Sequence, residues 1–360
     1  MPSPETHITL NSIDINVGTP SSHPSQPPTT IFFIPGNPGL ISYYDSFLPL
    51  LSRYLQSVDV GTSGAGNSVL NNTGFRICGS SLGGFEVEDG KSRSQGKALY
   101  SLKEQIEYVE NSLWNVVKGI ASSYTNTKPK VILMGHSVGA YITMEIIRRH
   151  RERETKAGLD QLDIIGAVLL FPTVVDIAKS PSGSKAMWII DIPHLALIVS
   201  SLAKLIVFLV PVLLLRGLVG VAMGFPPAAA VDTTVNFLRS KRGVRQAIHM
   251  AVDEMREITS DKWSDDIWGT TASSETTNKK TSSPNLVFYF GRGDHWVAER
   301  TRDELIKARA SLPDRNGKRN GPNMQVCEDG VLHGFCIRHN DIMAKKVAGF
   351  IHEIVDCVRN

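Results

Sequence analysis

Short, wholly apolar runs recur along this chain between longer amphipathic stretches, and no other feature limits its fold as much. "TIFFI" (30–34), "KVILM" (130–134), "DIIGAVLLF" (163–171) and "NLVFYF" (285–290) show almost no alternation with polar residues. A strand wetted on one face alternates, whereas a strand covered on both faces reads as a continuous apolar run. Between these runs lie segments with helical spacing. One carries Tyr44, Phe47, Leu48, Leu51 and Leu55, and a second carries Leu102, Ile106, Val109, Leu113, Val116 and Val117. A last one carries Ile342, Val347, Phe350, Ile354 and Val358. "FRICG" (75–79) and "MQVC" (324–327) read as two further short strands. The alternation predicts an α/β fold, with a mostly parallel central sheet and helices on both faces. The Pro/Ser-rich "TPSSHPSQPP" (19–28) sets a boundary, with residues 1–28 as an N-terminal segment and 29–358 as one domain.

Composition excludes several classes. At 360 residues the chain is within reach of a single α/β domain with insertions. A net charge of +3 and the lack of a basic stripe with interleaved aromatics argue against nucleic acid as a partner. "RRHRERETK" (148–156) mixes both signs and reads as a solvated helix end. Cys78, Cys327, Cys336 and Cys357 have no C-x-x-C or zinc spacing, so reduced thiols facing the cytosol are expected. "MPSPETHITL" lacks the basic start and apolar core of a secretory signal, so Asn71-Asn72-Thr73 is expected to be a plain polar loop. No metal or organic cofactor is implied, and the oligomeric state stays open.

The pattern G-x-S-x-G occurs twice, as "GSSLG" (79–83) and "GHSVG" (135–139). A nucleophile elbow needs a buried strand ending at the first glycine and a helix starting just after the serine. Ser137 has both: "KVILM" precedes it, and "AYITMEIIRRH" follows with Tyr141, Met144 and Ile147 at helical spacing. Ser81 is followed by "GFEVEDGKSRSQGK", a polar stretch with three glycines, and reads as a loop residue. Ser137 is therefore the candidate nucleophile.

A serine hydroxyl needs a base to take its proton and an acid to hold that base in the right tautomer. On this sheet the chain order is serine, acid, histidine, the last two following late strands. Asp294 lies in the Gly-rich turn after "NLVFYF", and His333 lies in "VLHGF" after "MQVC". Asp176, after "LLFPTVV", is the rival acid. His295 adjoins Asp294 and would leave no separate acid to orient it. His339 reads as a surface group of the final helix, and His136 as a packing and hydrogen-bonding residue of the elbow. An oxyanion hole needs two backbone donors. Val138 after the nucleophile is one, and Asn37 in "PGNPG" (35–39) is the other, since Pro38 has no N–H.

"FFIPGNPGLISYY", "GHSVGAY", "LLFPTVVDIAKSPSG", "FGRGDHWV" and "LHGF" together resemble the lipid droplet-associated hydrolase family of α/β-hydrolases, from about residue 30 to 358. Pro35 stands where many other hydrolases have histidine, as in that family's pattern. The resemblance implies an α/β-hydrolase fold and a triad of Ser137, Asp294 and His333. It also implies esters of sterols or other neutral lipids as substrates, and action at the lipid droplet or at the cytosolic face of the endoplasmic reticulum membrane. Two other readings share these residues: a non-catalytic or weakly active droplet-organising protein, and an acyltransferase.

An apolar insertion at about 188–231 gives an independent reason to expect a lipid monolayer or membrane surface as partner. Its uncharged runs, 195–203, 205–215 and 217–231, are broken by Lys204 and Arg216. The Lys204–Arg216 interval spans only about 18 Å as a helix, against roughly 30 Å of bilayer hydrocarbon. Pro211 would kink it. A segment that dips in and returns, with Lys204 and Arg216 snorkelling, fits better than a straight span. The competing reading is a greasy cap over the site of a soluble enzyme. "TTVNFLRSKRGVRQAIHMAVDEMREI" (233–258) reads as a helix pair, and 260–284 as a polar mobile loop, the alternative being that Trp263 and Trp268 touch the lipid surface.

Overall fold

Among the described residues eight strands form one sheet: β1 (Thr6–Ile8), β2 (Ser12–Val17), β3 (Thr29–Ile34), β4 (Phe75–Ser80), β5 (Lys130–His136), β6 (Asp163–Leu170), β7 (Asn285–Phe290) and β8 (Asn323–Val326). Their spatial order is β1-β2-β4-β3-β5-β6-β7-β8. The computed structural model describes residues 6–18, 27–57, 74–87, 99–124, 127–157, 162–270, 284–311 and 321–359. Only β2 runs against its neighbours; from β4 to β8 every pairing is parallel. The row Ile77–Ile31–Ile132–Gly166–Asn285 runs across β4, β3, β5, β6 and β7, and the row Leu169–Phe288–Met324 carries the pairing on to β8.

The continuous apolar runs are explained by two cores, one on each face of the sheet. Successive side chains point to opposite faces. Phe32, Ile34, Leu133, Leu169 and Phe288 therefore pack on one side, with α2 (Leu102–Ser123) and α3 (Val138–Ala157). Ile31, Phe33, Ile132, Val168 and Val287 pack on the other, with α1 (Phe47–Ser57) and α12 (Asn340–Arg359). Ser101 caps α2 in a reciprocal box with Glu104, which fixes where that helix starts. The mixed-sign run ending α3 is laced by ion pairs, with Arg148 on Glu145 and Glu152 and Arg149 on Glu110.

Several expectations need correction. The N-terminal residues are not outside the sheet, because β1 and β2 extend it as an antiparallel pair. "SIDINV" alternates, burying Ile13, Ile15 and Val17. In α12 the buried stripe is Met343, Ala344, Val347, Phe350, Ile351 and Ile354, while Ile342 and Val358 are exposed. One helical turn back from Val347 reaches Met343 and Ala344, not Ile342. The segment 260–270 is folded, with α9 (Asp265–Trp268) inside it. Trp263 and Trp268 are buried rather than available to lipid. Trp263 Nε1 donates to Glu145 at 2.9 Å, and Trp268 stacks on Phe288 with ring centroids 5.3 Å apart. Residues 271–283 of the expected loop, and Asn71-Asn72-Thr73, lie outside the described residues.

Between β6 and β7 the chain builds α4 (Pro181–Ile190), α5 (Leu195–Leu209), α6 (Val212–Ala222), α7 (Ala228–Arg239), α8 (Gly243–Glu257) and α9. Pro211 separates α5 from α6 instead of kinking one helix, since the residue before a proline disfavours helical ψ. α4 and α5 meet at a 97° bend, and among the described residues no single helix is long and apolar enough to cross a membrane. Trp188, Phe208, Leu213 and Phe225 are 88%, 86%, 80% and 76% exposed, so the apolar surface of the insert faces outward. Arg216 is held by Asp232 at 2.8 Å, not extended alone.

Candidate active site

Strand β5 ends at His136, and α3 begins at Val138, so Ser137 alone makes the turn. Its φ of 55° lies in the left-handed region, where non-glycine residues are strained. The flanking glycines are a steric requirement. A Cβ on Gly135 would lie 2.3 Å from the Gly139 carbonyl oxygen, and one on Gly139 would lie 2.3 Å from that of Ile34. The bend is pinned by the Ser137 amide donating to Leu170 at the end of β6, at 2.9 Å. Ser137 is buried, and the amide of Val138 lies in the first turn of α3, where no intrahelical acceptor exists.

The structure brings the three expected side chains into one hydrogen-bonded line. His333 Nε2 is 3.0 Å from Ser137 Oγ, and His333 Nδ1 is 2.7 Å from Asp294 Oδ2. A carboxylate only accepts, so Nδ1 carries the proton in neutral His333 and Nε2 faces the serine hydroxyl as acceptor. Asp294 is buried, and its second oxygen accepts the Trp296 amide at 2.8 Å. Asp176, the rival acid, instead pairs with Lys179 at 2.8 Å. His295 is exposed, and His339 sits between α11 (Phe335–Arg338) and α12. Ser81 follows β4 with no helix behind it; its buried Oγ accepts the Ile41 amide at 3.1 Å and does not join the site.

A second relay lies beneath the first. His136 Nε2 donates to the His333 carbonyl at 2.9 Å, and Nδ1 accepts from the Tyr44 hydroxyl at 2.7 Å. That hydroxyl accepts the Gly36 amide at 3.2 Å. Burial holds the His136 imidazole well below its ordinary pKa, with the neighbouring His333 acting in the same direction, so it stays neutral. His136 thus fixes the backbone of the residue that faces Ser137. Phe171 and Phe335 wall the pair, with centroids 5.9 Å from His333 and 5.0 Å from His136 respectively.

The turn after β3 abuts the nucleophile. A Cβ on Gly36 would lie 2.9 Å from that of Ser137. With the Gly36 amide spent on Tyr44, the next amide in the turn is that of Asn37. The Asn37 side chain is itself held, its Nδ2 donating at 3.0 Å to the Ala247 carbonyl and at 3.0 Å to Glu254 Oε1. Sequence reasoning missed the roles of Tyr44 and Glu254. Tyr44 was assigned to the apolar face of α1 but ends the 3-10 turn Ile41–Tyr44. Glu254 had a signal, since it continues the stripe Gln246, Met250 at four-residue steps, placing an acid on a buried helical face. Among the described residues no group of three His, Cys, Asp or Glu side chains gathers to hold a metal.

A serine poised on a strand-to-helix bend of this sheet places the molecule in the α/β-hydrolase class. A profile described as lipid-droplet associated hydrolase matches residues 27–336, and the chain belongs to that family. The lipid droplet-associated hydrolase of Gallus gallus is 26% identical over 336 residues, covering 91% of this chain and 86% of the relative. Among solved structures, a peroxisomal α/β-hydrolase of Saccharomyces cerevisiae has a TM-score of 0.54 at 12% identity, covering 99% of this chain and 86% of that one. A carboxylesterase of Nitrososphaera gargenis has a TM-score of 0.52 at 12% identity, covering 98% and 99%. These two likenesses establish the fold alone.

Proposed function

We propose that this hydrolase is a serine esterase acting on lipid or sterol esters at a lipid surface. The observation that supports it best is the His333 Nε2 to Ser137 Oγ contact of 3.0 Å with Asp294 behind it. In this reading Ser137 Oγ attacks the ester carbonyl while His333 Nε2 takes its proton. Asp294 stabilises the imidazolium, and the Val138 and Asn37 amides hold the oxyanion. His333 then protonates the departing alcohol. Water attacks the acyl-enzyme, giving its proton to His333, which returns it to Ser137 as the acid leaves.

The lipid surface is supported by Trp188, Phe208, Leu213 and Phe225, large apolar side chains that the insert leaves exposed. The name shared by the relatives points to the lipid droplet as the place of action. The insert suits the cytosolic leaflet of the endoplasmic reticulum equally well. A droplet has no water beyond its monolayer, so an element that embeds and returns fits it better than a span.

An active-site fluorophosphonate tests the chemistry. The wild type is expected to be labelled and Ser137→Ala is not. A folded wild type that resists labelling would favour a non-catalytic droplet protein.

A further inference from the structure

The contact between Asn37 and α8 joins the oxyanion turn to the apolar insert. Asn37 lies 210 and 217 residues from its two acceptors, Ala247 and Glu254, both on α8. α8 in turn packs against α5, the longest outward-facing apolar helix of the insert. Resting on the reading of Asn37 as an oxyanion donor, we propose that Glu254 is a positioning residue that fixes the oxyanion turn through the Asn37 carboxamide. By it, the placement of the insert is mechanically tied to the donor geometry.

The protonation state follows from where Glu254 sits. It is buried, and this pushes its carboxyl up to about 8. The hydrogen bond from Asn37 opposes that rise, and Asp253 reinforces it. The other ionisable groups of this region act on the neighbours of Glu254: His249 faces Asp253, and Lys103 of α2, Lys262 and Glu145 of α3 bear on Glu257. Of these, Asp253 is the one whose charge reaches Glu254. At neutral pH the clamp is therefore a carboxylic acid: it accepts from Asn37 without placing an anion behind the position where the substrate oxygen becomes negative. Losing that proton would set a buried negative charge close to the developing oxyanion, which opposes the transition state. The Asn37 hydrogen bond survives ionisation, but its benefit to the oxyanion is confined to the neutral form.

The experiment measures kcat and KM against pH for a soluble nitrophenyl ester, together with fluorophosphonate labelling, on wild type, Glu254→Gln and Glu254→Ala of the full chain. Wild type is expected to lose activity above about pH 8, falling about thirtyfold from its neutral-pH plateau by pH 9.5, as one ionisation of an essential acid requires. Glu254→Gln, neutral at every pH, is expected to restore the neutral-pH rate and abolish that alkaline fall. Glu254→Ala is expected to lower kcat about tenfold to a hundredfold with KM changed by less than about threefold, as a misplaced donor does. An alkaline fall that persists in Glu254→Gln overturns the proposal, as does a folded Glu254→Ala with wild-type kcat. If Glu254→Ala does not fold by circular dichroism, the Glu254→Gln pH profile decides alone. Absence of labelling and turnover in wild type overturns the esterase reading instead, and with it this proposal, by a separate readout.

Discussion

Tyr44 shows what a single hydroxyl does at this site. It accepts the Gly36 amide and donates to His136, which anchors the His333 carbonyl. Tyr44→Phe keeps the ring in its apolar collar but leaves a buried amide and a buried imidazole nitrogen without partners. Each such orphan costs about 1–3 kcal/mol. We expect denaturant unfolding of Tyr44→Phe to show a loss of about 2–6 kcal/mol for the two together, and the rate of fluorophosphonate labelling to drop with it. The three aligned side chains, Ser137, Asp294 and His333, were legible in the sequence, because chain order and element type locate them without distances. Tyr44 and Glu254 were not. Their partners lie 92 and 217 residues away, and a single sequence carries no trace of pairing at such separations.

At the scale of elements, two tryptophans near the ends of short helices have opposite fates. Trp268 on α9 is buried against Phe288, with the Arg309 guanidinium 5.3 Å over its ring. Trp188 on α4 stands exposed. Trp268→Ala is expected to cost about 3–5 kcal/mol in denaturant unfolding. Trp188→Ala is expected to stay within about 0.5 kcal/mol of wild type while weakening liposome binding in flotation. The polar composition around Trp268 hid this: a four-residue helix, tied by Trp268 Nε1 donating to Asp261, has too few apolar residues to show a period. The long apolar runs were read correctly as strands because burial on both faces leaves an unmistakable pattern. The alternation in "SIDINV" is equally regular, and the boundary drawn at the Pro/Ser-rich stretch separates it from the sheet that it joins.

For the whole molecule, pH and lipid act through different parts. Glu254 is pushed up to about 8 and Asp45 up to about 6, both by burial. The folded state holds protons that the unfolded chain has already released, so stability falls as pH rises from ordinary carboxyl values to these. Buried His136 has the opposite slope, losing stability as pH falls below the ordinary histidine value. The difference in Tm between Glu254→Gln and wild type is therefore expected to grow as pH is raised from 5 to 8. Lipid contact depends instead on the insert. Replacing Leu205, Phe208, Leu209 and Leu213 with polar residues is expected to move the protein from the membrane pellet to the soluble fraction while leaving Ser137 labelling intact. Unchanged pelleting would sink the lipid-surface reading.

The six helices between β6 and β7 also have a consequence in time. β6 and β7 are direct neighbours in the sheet, but the ribosome makes the entire oily insert before it makes β7. Until β7 arrives, the growing chain carries its greasiest surface on an unfinished platform, a state open to aggregation. Nascent chains therefore gain most from a waiting lipid leaflet or chaperone during synthesis itself, before the last two strands close the frame.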